Sequence, residues 1–324
     1  MIELNIIIDK LLDMKPDPIP EFILLKEFKG LSPSSREYQN AYDRVCNHSF
    51  VKKIENEQND RGFWPPFHGY TENIIRRCLS IGLDKDHQCL KRVSDYIKKV
   101  LDNEESWDQF EKQDNIRWWP EMFVPLISAA MLSLIEPNSN LLDSHRKRWA
   151  YFAETAFSRG YYDKESETRA QHEYFGFKTK RIIPSFGYYS LILLAPTDKE
   201  CYLSDKTDLS LVEYCMNCAE QIYYVYNCRL SDMVPIGIRR RDSRDFCHWL
   251  RALSLISQFN GWKKYKDKYI EWILTQRNGE GFWELPGKPV LFNFPLSNSW
   301  RNRKNRVIDS TIMVLRFLNH SRAF

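Results

Sequence analysis

Three clusters of basic residues stand directly before apolar runs of helical periodicity. Arginine forks suit phosphate oxygens, and a helix N-terminus adds a positive partial charge. If the apolar helices run parallel, the clusters meet at one end as an electropositive mouth. Solvated loop charge is the alternative. The predicted contacts to an anionic ligand are Lys180, Arg181, Arg239, Arg240, Arg241 and Arg244.

Two further positions could supply acid–base chemistry. His68 precedes an apolar run and could act there as an acid, a base or a hydrogen-bond donor; a loop histidine bonded to backbone is the alternative. Asp114 and Glu121 flank Trp118 and Trp119, and two carboxylates beside a cavity could hydrolyse a carbohydrate.

Large aromatic residues indicate either a packed core or an apolar ligand cavity. The chain has ten tryptophans and seventeen tyrosines in 324 residues, and such side chains serve both purposes. The side chains predicted to line a cavity, with core packing as the alternative, are Trp118, Trp119, Tyr188 and Trp249.

The elements that must position these residues are helices, because strand-like alternation is scarce and a 3.6-residue period dominates. Amphipathic runs alternate with more apolar runs, a pattern typical of helical-hairpin arrays. We therefore predict an all-α protein, an α/α toroid of five to six hairpins, with an open HEAT-type solenoid as the alternative. The pairs are 41–58 with 70–82, 86–102 with 118–136, 140–158 with 183–195, 208–228 with 242–258, and 262–277 with 306–319.

Two short segments repeat after amphipathic runs. Gln58 is followed by Gly62-Phe63-Trp64, and Gln276 by Gly281-Phe282-Trp283. These segments resemble the Q-W motif of the terpenoid cyclase and protein prenyltransferase superfamily. The aromatic-aliphatic pair that normally precedes the glutamine is displaced here. The resemblance implies an α/α toroid in which the glutamine closes an outer helix and the tryptophan packs over the next one.

The resemblance also implies a ligand: an isoprenoid-type amphiphile, such as a prenyl diphosphate, bound in an apolar central cavity with a basic mouth. Conversion of this ligand is the second expectation, after binding. The catalytic motifs DxDD and DDxxD do not occur in the chain. A prenyltransferase-type zinc site would use Asp245 and Cys247, but Asp309 stands where its histidine is expected. That is a poor zinc set, so neither Zn²⁺ nor Mg²⁺ is assigned. Asp245 and His248 are retained as catalytic candidates.

The bulk properties limit the partners. The net charge is +4, and the aromatics do not interleave with basic runs as in nucleic-acid binders. No apolar run is long enough to span a bilayer, and no signal peptide is evident, so we expect a soluble, cytoplasmic protein. The sequence indicates no oligomeric state. A carbohydrate-active helical toroid and a non-catalytic scaffold with a filled core are the alternative functions.

One domain is predicted for 1–324, since no linker divides the chain. Its N-terminal helices occupy 1–30. The polar stretch 158–180 is predicted to be irregular, as a lid-like insertion or a mobile loop.

Overall fold

The computed structural model describes residues 2–107, 117–197, 200–218, 229–287 and 295–321, which form helices and connecting turns without any strand. The prediction of an all-α protein is confirmed. The α-helices are α1 (Ile2–Asp13), α2 (Pro18–Ile23), α3 (Arg36–Cys46), α4 (Ser49–Glu57), α5 (Glu72–Ser80), α6 (Gln88–Leu101), α7 (Val124–Ile135), α8 (Leu142–Ala156), α9 (Lys164–Phe175), α10 (Tyr188–Leu194), α11 (Asp205–Asn217), α12 (Arg240–Ile256), α13 (Lys266–Thr275) and α14 (Arg303–His320).

Shorter helical turns extend or precede several of these helices. Leu24–Phe28 continues α2 as a π-helical turn, and a π-helical turn at Trp119–Phe123 leads into α7. The segment Phe67–Thr71 before α5 is kinked, because the backbone of His68 and Gly69 is not helical. Turns of 3₁₀-helix occur at Leu230–Asp232 and Asn260–Lys264. Among the helices of the described ranges, none is long and apolar enough to cross a membrane.

The helices differ in how much of their surface is buried. α7 buries every residue except Pro125 and Leu134, and α10 buries all seven of its residues. α6 instead buries one face and exposes Lys91 and Asp95 on the other, as a helix at the surface does. We call the second members of the predicted pairs, α5, α7, α10, α12 and α14, the central helices.

The central helices pack in chain order. α5 contacts α7, α7 contacts α10, α10 contacts α12, and α12 contacts α14. α14 in turn contacts α2, and Lys26, just after α2, donates a hydrogen bond of 2.8 Å to the carbonyl of Gly82, just after α5. One hydrophobic core joins these helices, from Ile7 of α1 to Leu318 of α14.

The two repeated segments lie at the C-terminal ends of α4 and α13. In both, the tryptophan is fully buried and its indole donates a 2.8 Å hydrogen bond to the preceding helix, from Trp64 to Ile54 and from Trp283 to Ile273. Gln58 donates hydrogen bonds to the carbonyls of Gly62 (2.7 Å) and of Cys89 in α6 (2.9 Å).

The glutamine role is wrong for the second segment. The Gln276 carboxamide donates to the hydroxyl of Thr275, its neighbour in α13. The polar side chain that makes the same contact in both segments is an asparagine three positions before the glycine. The carboxamide oxygens of Asn59 and Asn278 each accept a 3.0 Å hydrogen bond from the phenylalanine N–H four residues later.

The prediction of an irregular stretch at 158–180 is wrong over α9. Asp163 caps this helix by accepting hydrogen bonds from the N–H groups of Glu165 and Ser166, and Gly176 ends it with a left-handed φ of 68°. The buried face of α9 carries polar Glu167 and Gln171 besides Ala170, so hydrophobic periodicity did not indicate it.

Candidate functional site

A cavity of about 760 Å³ lies among the central helices. Each of the five central helices contributes to its wall, and Glu27 of the turn after α2 contributes as well. The volume falls within the range of small-molecule sites, about 300–1,000 Å³. Most of the wall is apolar; its side chains include Leu79, Leu134, Ile192, Leu250, Met313 and Phe317.

The cavity reaches solvent at the C-terminal ends of α12 and α14. Three lining residues there are exposed, Gln258, Asn319 and His320. The predicted basic mouth lies at the opposite, N-terminal ends of these two helices. The described structure therefore separates the cavity opening from the basic loops that the sequence assigned to it.

Two arginines and a tyrosine form the most polar part of the wall. The guanidinium carbons of Arg76 and Arg251 lie 4.6 Å and 5.1 Å from the ring centroid of Tyr188, within the range of cation–π contacts. Arg251 also donates a hydrogen bond to the Tyr188 hydroxyl. Burial lowers the pKa of Arg251; the Tyr188 hydroxyl opposes this shift, and the charge of Arg76 adds to it.

The buried carboxylate of Glu72 lies next to Arg76. Glu72 accepts hydrogen bonds from His68 Nδ1 and from the Tyr189 hydroxyl, both at 2.7 Å, and its carboxylate lies 3.7 Å from the Arg76 guanidinium. Burial raises the pKa of Glu72, but the His68 hydrogen bond and the Arg76 charge outweigh it and hold this pKa below its ordinary value. Glu72 is thus an anion that fixes the neighbouring side chains.

The third arginine of the wall, Arg316, is paired with a carboxylate. Arg316 donates two hydrogen bonds to Glu27, at 2.7 Å and 2.5 Å, and a third to the carbonyl of Ser80 at 2.9 Å. These contacts connect α14 with the turn after α2 and with the end of α5. Arg316 therefore holds three elements together and contributes little uncompensated charge to the cavity.

Asp309 organises the loop that precedes α14. Its carboxylate accepts hydrogen bonds from the backbone N–H groups of Leu296 (2.8 Å) and Ser297 (2.9 Å), from the Ser297 hydroxyl (2.6 Å) and from the Trp300 indole. Burial raises the pKa of Asp309, and the hydrogen bonds oppose this shift. Leu296 and Trp300 are thereby held in the cavity wall.

The three metal candidates do not form one site. Cys247 and Asp309 both line the cavity, but the Cys247 thiol contacts the Met313 sulfur at 3.8 Å. Asp245 lies outside the cavity wall and pairs with Arg244 at 3.0 Å. In the described ranges, no group of three or more His, Cys, Asp or Glu side chains could hold a metal ion.

The predicted basic contacts whose side chains are described, Lys180, Arg181, Arg239 and Arg244, are not part of the cavity wall. Arg239 is 71% exposed and pairs with Asp242 at 3.2 Å, and Arg244 pairs with Asp245. Lys180 is exposed. Arg181 lies over the Trp118 ring at 5.1 Å. The side chains of Arg240 and Arg241 fall outside the described part of the structure.

The predicted aromatic contacts lie in different parts of the structure. Tyr188 lines the cavity of about 760 Å³, whereas Trp249 is fully buried and donates its indole N–H to the carbonyl of Leu230 at 2.9 Å. Trp118 and Trp119 are buried in an aromatic cluster with Phe123. Trp118 also borders a separate cleft of only about 30 Å³.

The catalytic candidates in the described residues, His68, Asp245 and His248, are not brought together in the cavity wall. His68 is held by Glu72 and packs edge-on against Phe123 at 5.2 Å. His248, half-buried on α12, is not part of the cavity wall, and neither is Asp245. Asp114 lies outside the described residues. Its predicted partner Glu121 pairs with Arg117 at 2.5 Å.

Sequence reasoning missed the arginines that line the cavity. Arg76, Arg251 and Arg316 sit inside central helices, where a charged residue among apolar ones was the available signal. A cation at such a position costs free energy unless it has a partner. The loop clusters were more conspicuous in the sequence.

Comparison of the chain with protein-family models, with curated proteins and with solved structures finds no match. The resemblance to terpenoid cyclases and prenyltransferases therefore rests on the two repeated segments.

Proposed function

We propose that the hairpins form a closed α/α toroid in which α1 and α2 supply the sixth pair. The contacts that support a ring run from α5 through α7, α10, α12 and α14 to α2. The hydrogen bond from Lys26 to Gly82 then returns the series to the end of α5. Such an array buries the apolar faces of its inner helices only by stacking neighbours.

Within this ring, the proposed function is the binding of an isoprenoid-type amphiphile. The observation that carries the proposal is the cavity of about 760 Å³ with a mainly apolar wall and two arginines beside Tyr188. An apolar tail gains about 25 cal/mol for each Å² that it removes from water. The guanidinium groups suit an anionic head.

Conversion of the ligand is a secondary proposal. A cyclase or transferase needs a group that donates a proton or stabilises a leaving group. The acids of the described cavity wall, Glu27 and Asp309, are already held by Arg316 and by the loop at 295–300. Binding therefore has the stronger support.

The two alternatives have less support. A carbohydrate-active enzyme needs two carboxyl groups free to act on the sugar, whereas Glu27 and Asp309 are engaged in contacts that stabilise the fold. A scaffold with a filled centre does not account for a cavity of about 760 Å³.

Binding can be tested by fluorescence titration with dansyl-labelled farnesyl and geranylgeranyl ligands, followed by competition with the unlabelled compounds. We expect saturable binding that filling the cavity abolishes. Ile192→Trp places a bulky ring in the cavity wall and should weaken binding at least tenfold.

The matched control is Ile238→Trp, because Ile238 is 92% exposed and lies outside the cavity wall. This variant should bind as the unmodified protein does. Equal binding by both tryptophan variants would place the ligand elsewhere, and absence of binding by the unmodified protein would reject the proposed function.

A further inference from the structure

We propose that Cys78 and Cys89 form a peroxide-reactive thiol pair, in which Cys89 attacks hydrogen peroxide and Cys78 then closes a disulfide with it. The pair connects the last turn of α5 with the first turn of α6. Neither cysteine is part of the cavity wall, so this activity is separate from the proposed binding function and does not depend on it.

The two thiols lie close enough to react with each other. Both are free cysteines, and their sulfur atoms are 3.9 Å apart. A disulfide bond is about 2.05 Å long, so the sulfurs approach by about 2 Å when it forms. α5 ends two residues after Cys78 and α6 begins one residue before Cys89, so both thiols lie beside the short connection between these helices.

An imidazole contacts one thiol of the pair. His87 Nδ1 lies 3.1 Å from the Cys89 sulfur, and Nε2 of the same ring lies 3.4 Å from the Glu55 carboxylate. The carboxylate favours the protonated imidazole, and this cation favours the Cys89 thiolate. A thiolate is the nucleophilic form of cysteine. Cys89 is therefore the attacking residue and Cys78 the resolving one.

The backbone around Cys89 supports the same assignment. Cys89 is the second residue of α6, where the N–H groups of a helix N-terminus carry a partial positive charge that favours a thiolate. Gln58 of the first repeated segment donates a 2.9 Å hydrogen bond to the Cys89 carbonyl. The segment that ends α4 thus holds the backbone of the reactive cysteine.

These contacts also decide where the protons lie. The hydrogen bond with Cys78 and the contact with His87 lower the pKa of Cys89, against burial and the Glu55 charge. The hydrogen bond with Cys89 and burial raise the pKa of Cys78. Hydrogen bonds to Cys46 and Cys89 raise the pKa of His87 against burial. The Cys89 thiolate therefore lies between a thiol and an imidazolium.

The burial of the pair selects the oxidant. Cys78 and Cys89 are 0% and 1% exposed, whereas the side chain of Glu55 is 24% exposed. A bulky oxidant such as glutathione disulfide has to reach the sulfur directly, because thiol–disulfide exchange depends on access. Hydrogen peroxide is uncharged and nearly as small as water, so it is the class of oxidant that suits this site.

The reaction takes two steps. The Cys89 thiolate attacks one peroxide oxygen, the O–O bond breaks, and the leaving hydroxide takes the His87 proton to give water and Cys89 sulfenic acid. The Cys78 thiol then attacks the Cys89 sulfur, and the sulfenic hydroxyl leaves with the thiol proton as a second water. The two sulfurs lose two electrons, and the peroxide gains both.

The test treats the reduced full chain with equimolar hydrogen peroxide, blocks the remaining thiols during denaturation and maps disulfides by mass spectrometry. We expect a reducible link between Cys78 and Cys89 as the main product. Oxidation mainly at the exposed Cys201, without this link, would overturn the proposal. Glutathione disulfide at the same concentration should give about tenfold less of the link, because burial limits its access. Equal yields would overturn the choice of oxidant.

Variants separate the two thiols. In Cys78→Ser the resolving thiol is missing, so peroxide should leave Cys89 as a sulfenic acid that dimedone labels. In Cys89→Ser, Cys78 should stay unlabelled. Labelling of Cys78 instead of Cys89 would overturn the proposal. Circular dichroism shows whether each variant folds, and the disulfide map of the unmodified protein decides if one does not.

A third variant tests the imidazole. His87→Asn keeps a residue that can cap α6 and should slow formation of the link about tenfold, because Cys89 loses the cation that favours its thiolate. His48→Asn, at the equivalent N-cap position of α4, is the matched control and should leave the rate within about twofold. An unchanged rate in folded His87→Asn would contradict the role given to His87.

Discussion

The two repeated segments, residues 58–64 and 276–283, share one turn but differ in what packs against it. In each, the asparagine accepts from the phenylalanine N–H, and a threonine hydroxyl on or next to the following central helix bonds the tryptophan backbone. In the first segment, however, a Cβ on Gly62 would lie 2.6 Å from the carbonyl oxygen of Arg92 in α6; nothing lies within 4 Å at Gly281.

This difference shows that the turn is formed by residues within each segment, whereas the contact with a neighbouring helix depends on the tertiary structure. At the first segment, Gln58 connects α4 with α6. At the second segment, a surface groove of about 630 Å³ lies between the turn and α1, lined by Met14 and Phe282 among others. We interpret this groove as the place where the proposed ring closes between the C-terminal and N-terminal helices. Four pairs of substitutions test which contacts the two segments share and which only the first segment makes.

The largest effect is expected at the tryptophans, and it should be equal in the two segments. Trp64→Ala and Trp283→Ala each remove a fully buried ring and its 2.8 Å hydrogen bond. Each should lower the free energy of unfolding by about 3–5 kcal/mol, measured by urea denaturation. Trp272→Ala, at a partly exposed ring of α13, should cost less. A small loss at one tryptophan only would contradict the shared turn.

Alanine in place of the glycine should lower the free energy of unfolding more in the first segment than in the second. Gly62 and Gly281 have similar φ values, 92° and 86°, so alanine adds about 1–2 kcal/mol of backbone strain at either position. Gly62→Ala also presses against the Arg92 backbone, and overpacking costs about 1–3 kcal/mol more. Equal losses in the two variants, measured by denaturation, would mean that α6 moves aside without cost.

A smaller difference is expected at the glutamines. Gln58→Ala leaves the carbonyls of Gly62 and Cys89 without their donor, and we expect a loss of about 1–3 kcal/mol in unfolding free energy. Gln276→Ala removes only a contact with Thr275 and should stay within about 0.5 kcal/mol. A larger loss at Gln276 than at Gln58 would reverse the assignment.

The asparagines should give a small loss that is similar in both segments. Asn59→Ala and Asn278→Ala each remove one 3.0 Å acceptor from the turn, for about 1 kcal/mol. Thermal unfolding followed by circular dichroism can compare them. If Asn278→Ala proved silent while Asn59→Ala did not, the two turns would not be equivalent.

The all-α class and the order of amphipathic and apolar helices along the chain could be predicted from the sequence, because both depend on local periodicity. α7 and α10 are almost wholly buried, as their apolar composition indicates. α9 was missed since its buried positions include Glu167, whose carboxylate accepts a hydrogen bond from the Ser185 N–H at 2.6 Å. Burial raises the pKa of Glu167 to about 7 despite these hydrogen bonds. A buried polar contact of this kind depends on a partner distant in sequence.

The candidate site could be predicted only in part. Tyr188 lines the cavity, whereas Trp249, Arg239 and Arg244 do not. A run of arginines attracts attention in a sequence, but Arg239 and Arg244 each lie beside an aspartate that pairs with them. The cavity arginines, separated by up to 240 positions in the chain (Arg76 and Arg316), come together only through helix packing.

The sequence by itself determined the all-helical class, the alternation of amphipathic and apolar helices, and the two turns that end α4 and α13. Those features follow from residue types within one or two helical turns of each other. Only the tertiary structure decided where the cavity opens, which arginines line it, and that Gln58 joins two helices while Gln276 joins none. The physical reason is that these contacts depend on which helix faces which, a choice made by packing the whole core.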